Sequence, residues 1–200
     1  TGTTAYDFSG NGKNGTYVNT PASTTGKIGG ALLFNGTSQN IGNINTSALP
    51  SGTSAVSMFA WIKTSTTTRE TAVSYGGSAA GQAVALNVNQ AAANGHFYVD
   101  FYSTYLDSGV TVNDGLWHLV GFTLAGSTTS ITMYVDGTAY SGTLGSIPNI
   151  LAGTNMQIGR WVTAGAGDTN PYYFNGSIDD VRIYNRVLSA TEVKTINNAA

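Results

Sequence analysis

"YFNGSIDDVRIYNRVLSATEV", residues 173–193, is the stretch whose reading decides the fold. Its first half alternates as a strand, with Ile178, Asp180, Arg182 and Tyr184 on one face and Asp179, Val181 and Ile183 on the other. Its second half changes period. Ser189 is followed three residues later by Glu192, the spacing of a capping box, and Val193 and Ile196 then share a helical face. The spacing predicts a strand that runs into one short helix, over about residues 190–197.

Upstream of this stretch, alternation and turn signals dominate. "AVSMFAWIK" (55–63) sets Val56, Met58, Ala60 and Ile62 against Ser57, Phe59, Trp61 and Lys63. "AVALNVN" (83–89), "HFYVDFYSTYL" (96–106) and "LWHLVGFTL" (116–124) read as strands rich in aromatic and β-branched residues. In "SITMYVDGTAYSG" (130–142), Ile131, Met133 and Val135 alternate up to Asp136-Gly137, the pair that favours a type I′ hairpin turn. "TSTTTRET" (64–71) and "WVTAGAGDTNP" (161–171) read as long exposed loops. Roughly a dozen short strands predict an all-β, two-sheet antiparallel β-sandwich. Residues 1–200 read as a single domain, with no linker between parts.

Composition narrows the function classes. The chain is 41% hydrophobic, enough to fill a core, but only 9% charged against roughly 25% in ordinary domains. Net charge is −2 and the eight Lys and Arg are scattered, so no basic stripe for nucleic acid exists. No apolar run approaches the ~18 residues of a membrane span, so no membrane insertion is expected. With no cysteine, neither disulfides nor thiolate metal sites can form. The start at Thr1, without methionine, suggests a mature fragment or a module of a longer protein. The expectation is a domain of an exported protein, secreted or at the cell surface, that acts as a monomer.

The residues that catalysis needs are sparse. A glycosidase needs two carboxylates about 5 to 10 Å apart. There are two glutamates: Glu192 is used by the helix cap, and Glu70 stands in a polar loop. Asp179 and Asp180 are strand neighbours and point to opposite faces. His96 and His118 are isolated, with His118 read as a half-buried structural residue. The chain is read as not an enzyme.

"DFSGNGKNGT" (7–16) contains two partial motifs. Its G-x-G-x-x-G spacing is not followed by a helix or by an acid about 20 residues on, so the dinucleotide reading fails. Its Asp-x-Ser-x-Asn-Gly resembles the opening of a calcium loop, but Val18 stands where the bidentate glutamate belongs and no helix flanks it. What survives is the ligand chemistry of one carboxylate with small oxygen-bearing neighbours. Alternatively, Asp7 caps a turn through backbone amides, while Asp179 and Asp180 pair with Arg182 or Arg186.

Taken in order, "AYDFSGNGKNGT", "GGALLFNGTSQNI", "AWIK", "LWHLVGFTL", "MYVDGT", "QIGRW" and the C-terminal stretch resemble bacterial laminin-G-like domains of the concanavalin A-like lectin/glucanase superfamily. The resemblance covers nearly the whole chain. It implies a jelly roll whose N- and C-terminal strands lie side by side, with a structural calcium ion between the Asp7 loop and the Asp179-Asp180 strand. Carried over, Asp7 and Asp180 would supply carboxylates, and oxygens near Asn11, Gly12 and Thr16 would complete the shell.

The same resemblance implies a polysaccharide or glycan ligand. Sugar faces stack on Trp or Tyr while amides and carboxylates take the hydroxyls. Trp161, Tyr172 and Tyr173 flank a polar stretch containing Asp168 and Asn170, the composition of such a platform. Trp61, on the hydrophilic side of its strand, is a further candidate, and Tyr102, Tyr105 and Asp107 form a second cluster. The expectation is a non-catalytic carbohydrate-binding module joined to other domains of its parent protein. The alternative is a structural or adhesive domain without a glycan ligand. Exposure of Trp161 or a nearby tyrosine would favour the first; burial of every tryptophan would favour the second.

Overall fold

The computed structural model describes residues 2–151, 155–162 and 170–199. Its strands form two antiparallel sheets. In chain order they are β1 (Thr4–Ala5), β2 (Gly15–Val18), β3 (Ala22–Thr25), β4 (Gly30–Asn35), β5 (Asn40–Gly42), β6 (Val56–Thr64), β7 (Glu70–Gly76) and β8 (Ala83–Val88). They continue as β9 (His96–Asp100), β10 (Tyr105–Thr111), β11 (His118–Leu124), β12 (Ser130–Val135), β13 (Thr138–Thr143), β14 (Asn155–Ile158) and β15 (Asn175–Tyr184), followed by the helix α1 (Ala190–Asn198). One sheet has the order β1-β2-β5-β14-β7-β8-β9-β10 and the other β13-β12-β11-β6-β15-β4-β3. Their non-sequential orders make the jelly-roll sandwich that the sequence predicts.

Alternation fills the space between the sheets. Met58, Ala60 and Ile62 of β6 meet Val84, Leu86 and Val88 of β8, Phe97 and Val99 of β9, and Val120 and Phe122 of β11 in one core. The β12–β13 hairpin closes at Asp136 (φ +50°) and Gly137 (φ +75°), with Val135 opposite Thr138, as a two-residue I′ turn requires. "HFYVDFYSTYL" is two strands rather than one. Tyr102, at φ +74°, turns the chain, and the Phe101 amide donates to the Thr104 carbonyl at 2.8 Å. "TSTTTRET" also departs from its reading as an exposed loop. Glu70 and Thr71 already belong to β7 and are buried.

The C-terminal stretch holds one surprise. Asp179 pairs with Trp61 and Arg182 with Phe59, so Asp180 and Val181 together oppose Ala60, a β-bulge with Asp180 at φ +48°. The extra residue slips the faces. Ile178, Val181 and Ile183 pack on the core, whereas Tyr184 packs on the outer side, so the alternation read from sequence holds only up to the bulge. The N- and C-terminal strands do not lie side by side either: β1 and β15 belong to different sheets.

α1 covers the outer face of β6, β11 and β12. Ser189 Oγ accepts from the Glu192 amide, and the Glu192 carboxylate accepts from the Ser189 amide at 2.8 Å, the expected capping box. Arg186 adds a bond to Glu192 at 2.7 Å, and this cation, with the Ser189 bonds, lowers the Glu192 carboxyl to about 2. Leu188, Val193 and Ile196 then seal Phe59, Trp61, Leu119 and Tyr134 into a second, smaller core. Gly121 makes room for it, since a Cβ there would collide with the Phe59 ring.

Candidate functional site

Two regions gather the sequence-predicted site residues. The first is a cleft of about 1480 Å3 between the sheets at the end where β1 and β15 face each other. Asp7, Asn11 and Asp180 line it; Gly12 and Thr16 do not. Asp7 Oδ1 accepts from the Ser9 amide, while Oδ2 accepts from the Ser9 hydroxyl and the Lys13 amide at 2.8 and 2.9 Å. The Lys13 amide first, and then the Ser9 hydroxyl, hold its carboxyl below the usual carboxylate range. Asp180 accepts from Arg182 Nε at 2.7 Å. Asp179 lines the cleft too, but its Oδ2 accepts from the Ile28 amide at 2.8 Å, so the two neighbouring carboxylates hold different partners. Among the described residues, no cluster of three or more His, Cys, Asp or Glu is placed to hold a metal ion. Tyr6 and Phe8 line the same cleft and are 70% and 97% exposed.

Trp61 lies on the outer side of its strand, as its parity implies, but not on an open face. It is 3% exposed beneath α1, with the Lys27 ammonium 5.1 Å from its ring centroid. Burial by the helix takes it out of the candidate sugar-binding set.

The second region is the outer face of β7, β8, β9 and β10. Trp161 packs there over Ala83 and Ala85, whose small side chains leave space for the indole. It is 1% exposed, so it is a support and not an open platform. Tyr102 stacks on it, with centroids 6.2 Å apart and planes 17° from parallel. Tyr172 lies under the Arg69 guanidinium at 3.7 Å, and Arg69 also bonds Asp100 at 3.2 Å. Tyr102 and Tyr172 both have left-handed backbones, at φ +74° and +44°. That conformation is uncommon for an aromatic residue, and such strain clusters at ligand clamps. Asn170 positions Tyr172 by accepting from its amide at 3.0 Å. Tyr173 stands apart, with Arg160 over its ring at 5.5 Å, and Asp168 lies outside the described residues.

Beneath this layer runs a buried polar network. The Thr71 hydroxyl donates to Asn87 Oδ1 at 2.7 Å, and Asn87 Nδ2 donates to Gln90 at 2.6 Å. At the far side, the ring of Tyr105 meets Tyr98 edge-on at 6.0 Å and is 47% exposed. Asp107 accepts from the Gly109 amide at 2.7 Å and pairs with His96 at 3.0 Å. Burial alone would raise the Asp107 carboxyl, but the Gly109 amide, His96 and Tyr98 hold it low.

Sequence reasoning missed Arg69, Asn87, Tyr98 and Asp100. A signal existed: His96, Tyr98 and Asp100 share one parity, against Phe97, Val99 and Phe101 on the other, which marks an outer face that is polar and aromatic.

Two further groups depart from their reading. His118 is not isolated: Nδ1 lies 2.8 Å from Asp136 and Nε2 lies 3.0 Å from Asp114. The Asp136 contact raises its pKa, burial opposes this, and Asp114 adds to it. Glu70 is buried between the sheets. Burial pushes its carboxyl up to about 8, although the Asn175 amide at 2.8 Å and the Thr64 hydroxyl pull the other way.

A laminin-G family model, described as the concanavalin A-like lectin/glucanases superfamily, matches residues 34–194. No curated protein matches the chain. Among solved structures, domain 4 of AbnA, an extracellular arabinanase of Geobacillus stearothermophilus solved with arabinotriose, aligns at 24% identity and TM-score 0.65. That alignment covers 90% of this chain and 82% of the other. The CBM40 of a Ruminococcus gnavus sialidase, bound to α2,3 sialyllactose, aligns at 16% identity and TM-score 0.58, covering 73% and 84%. The binding domain of botulinum neurotoxin serotype G aligns at 14% identity and TM-score 0.69, over 96% of this chain but 47% of that one. At these identities the likeness is one of fold.

Proposed function

The chain belongs to the concanavalin A-like lectin/glucanase superfamily, and from that premise we propose that it binds glycan without catalysis, on the outer face of β7–β10. One observation carries this reading: Tyr102 and Tyr172, held in strained left-handed backbones, converge with Arg69 and Asp100 on a face that α1 does not cover. Rings would take the apolar faces of sugars, and Arg69 the hydroxyls. Among the described residues, Arg69 Nε and Trp161 Nε1 have no acceptor, which marks this region as rich in donors. Domains of this fold solved with arabinotriose and with sialyllactose support the ligand class. We place the domain in a larger exported protein, as one module among others.

A structural calcium ion completes the proposal. It would sit in the terminal cleft, held by Asp7 and Asp180 with loop oxygens near Asn11. The donor set suits calcium: Asp7 Oδ1 carries one internal bond, and Asp180 has no partner besides Arg182 among the described residues. Calcium should raise the melting temperature and a chelator lower it, with Asp180→Asn removing the difference. An identical melt in both conditions would defeat the assignment.

A second reading rests on a specific observation. Trp61 and Trp161 are both buried, as a structural or adhesive domain without a glycan ligand would have them. A glycan array that includes arabinotriose and sialyllactose separates the two. Binding to at least one glycan, with no sugar released, is expected. Silence across the array would favour the structural reading.

A further inference from the structure

Resting on the glycan reading, we propose that the outer face grips a linear oligosaccharide along its length, with Tyr105 as the stacking ring at its β10 end. The alternative would be a single terminal sugar held in an enclosed pocket.

The register carries this. Tyr105 pairs with Asp100 and Asp107 with Tyr98, so these four side chains stand on one face of β9 and β10. Ala85 pairs with Asp100 and Asn87 with Tyr98, which extends the same face to β8, and Thr71 of β7 pairs with Asn87. Arg69, just before β7, reaches over to bond Asp100. The strip from the Tyr172–Arg69 stack to Tyr105 therefore crosses four adjacent strands. At the usual strand spacing that is about 14 Å, longer than one sugar ring.

The ends of the strip differ in kind from its middle. At one end, Tyr172 is covered by a guanidinium. At the other, β10 is the edge strand of its sheet, so among the described residues no further strand follows beyond Tyr105 and Asp107. A chain can continue past that edge. Between the ends, Asn87, Tyr98 and Asp100 are buried and already engaged with protein partners. They hold the upper layer in place and do not bind sugar directly. Tyr105 is the most exposed ring on this face, and its edge-on contact with Tyr98 fixes its plane. A ring so fixed costs little entropy when a sugar stacks on it.

The test uses the intact domain and a glycan that the array identifies. Titration calorimetry is run with a length series of that glycan, from disaccharide to octasaccharide, against the wild type, Tyr105→Ala and Tyr105→Phe. Affinity should climb with length and then level off. Tyr105→Ala should weaken the longer ligands about threefold to tenfold without shifting the melting temperature, and Tyr105→Phe should restore them. Affinity independent of length, or an unchanged Tyr105→Ala, would overturn the chain-gripping proposal and leave glycan binding intact. A wild type that binds no glycan at all would overturn both.

Discussion

The two outer faces of the sandwich follow the same alternation and end in opposite states. On the face of β6, β11 and β12, the outward residues are Phe59, Trp61, Leu119 and Tyr134, and α1 lies over them. On the face of β7–β10, the outward residues include Thr71, Asn87, Tyr98 and Asp100, tied together by hydrogen bonds and an Arg69 pair. A strand's outward side chains thus decide what covers it. The apolar row is sealed by the helix, whereas the polar row is buried with its groups held by hydrogen bonds beneath a layer of Arg69, Tyr102, Tyr172 and Trp161. A ligand on this face would meet that layer and not the row itself. The lesson is that "outward" and "available" are separate properties, and Trp61 illustrates the difference.

The largest effect should come from removing the covered face's anchor. Trp61→Ala deletes a fully packed indole beneath α1 and should cost about 3–5 kcal/mol of unfolding free energy, measured by urea denaturation. A loss below about 1 kcal/mol would show that α1 does not seal a core there.

Glu70 gives the next effect, and its sign follows from linkage. Its folded pKa, about 8, stands above its unfolded value near 4.5. Between these values the unfolded chain has released the proton that the folded protein keeps. Stability from this group is therefore fully present below about pH 4.5 and declines as pH rises towards 8. Glu70→Gln should remove that decline, so the variant should melt above the wild type at pH 8 and near it at pH 4.5. Parallel melting curves across this range would contradict the buried, protonated state.

A smaller effect belongs to the cap that holds the cover in place. Ser189→Ala should lower stability by about 1 kcal/mol through loss of the bond to the Glu192 amide. An effect confined to α1 would appear as faster amide exchange over 190–198 while β8 and β9 stay protected.

Much of this architecture was legible in the sequence. The β12–β13 hairpin announced itself through Asp136-Gly137, and α1 through Ser189 and Glu192, because turn and cap chemistry is local. The core rows of β6 and β11 were equally plain from period-two alternation. What stayed hidden depends on contacts distant in sequence. The bulge at Asp180 leaves no local mark, since Asp-Asp-Val reads as continuous strand, yet it moves every later residue to the other face. Trp61 looked available because its cover, α1, begins 129 residues later. Arg69 is loop, as read, but its pairing was hidden, and Glu70 looked like surface, because their partners Asp100 and Asn175 come from distant strands. For the candidate site, the two clusters read separately from the sequence, around Trp161 with Tyr172 and around Tyr102 with Tyr105, meet on one sheet face, because Tyr102 stacks on Trp161. That contact is long-range, and the burial of Trp161 and the Arg69–Asp100 pair depend on it and on other strands.

The central claim is that glycan is taken on the outer face of β7–β10. Its most direct test is an amide chemical-shift titration of the isotopically labelled domain with an array-identified glycan. The largest shifts should fall on Arg69, Tyr102, Tyr105 and Asp107, while Phe59, Trp61 and Leu119 stay still. Shifts centred on Tyr6, Phe8 and the terminal cleft, or no shifts with any glycan, would contradict it.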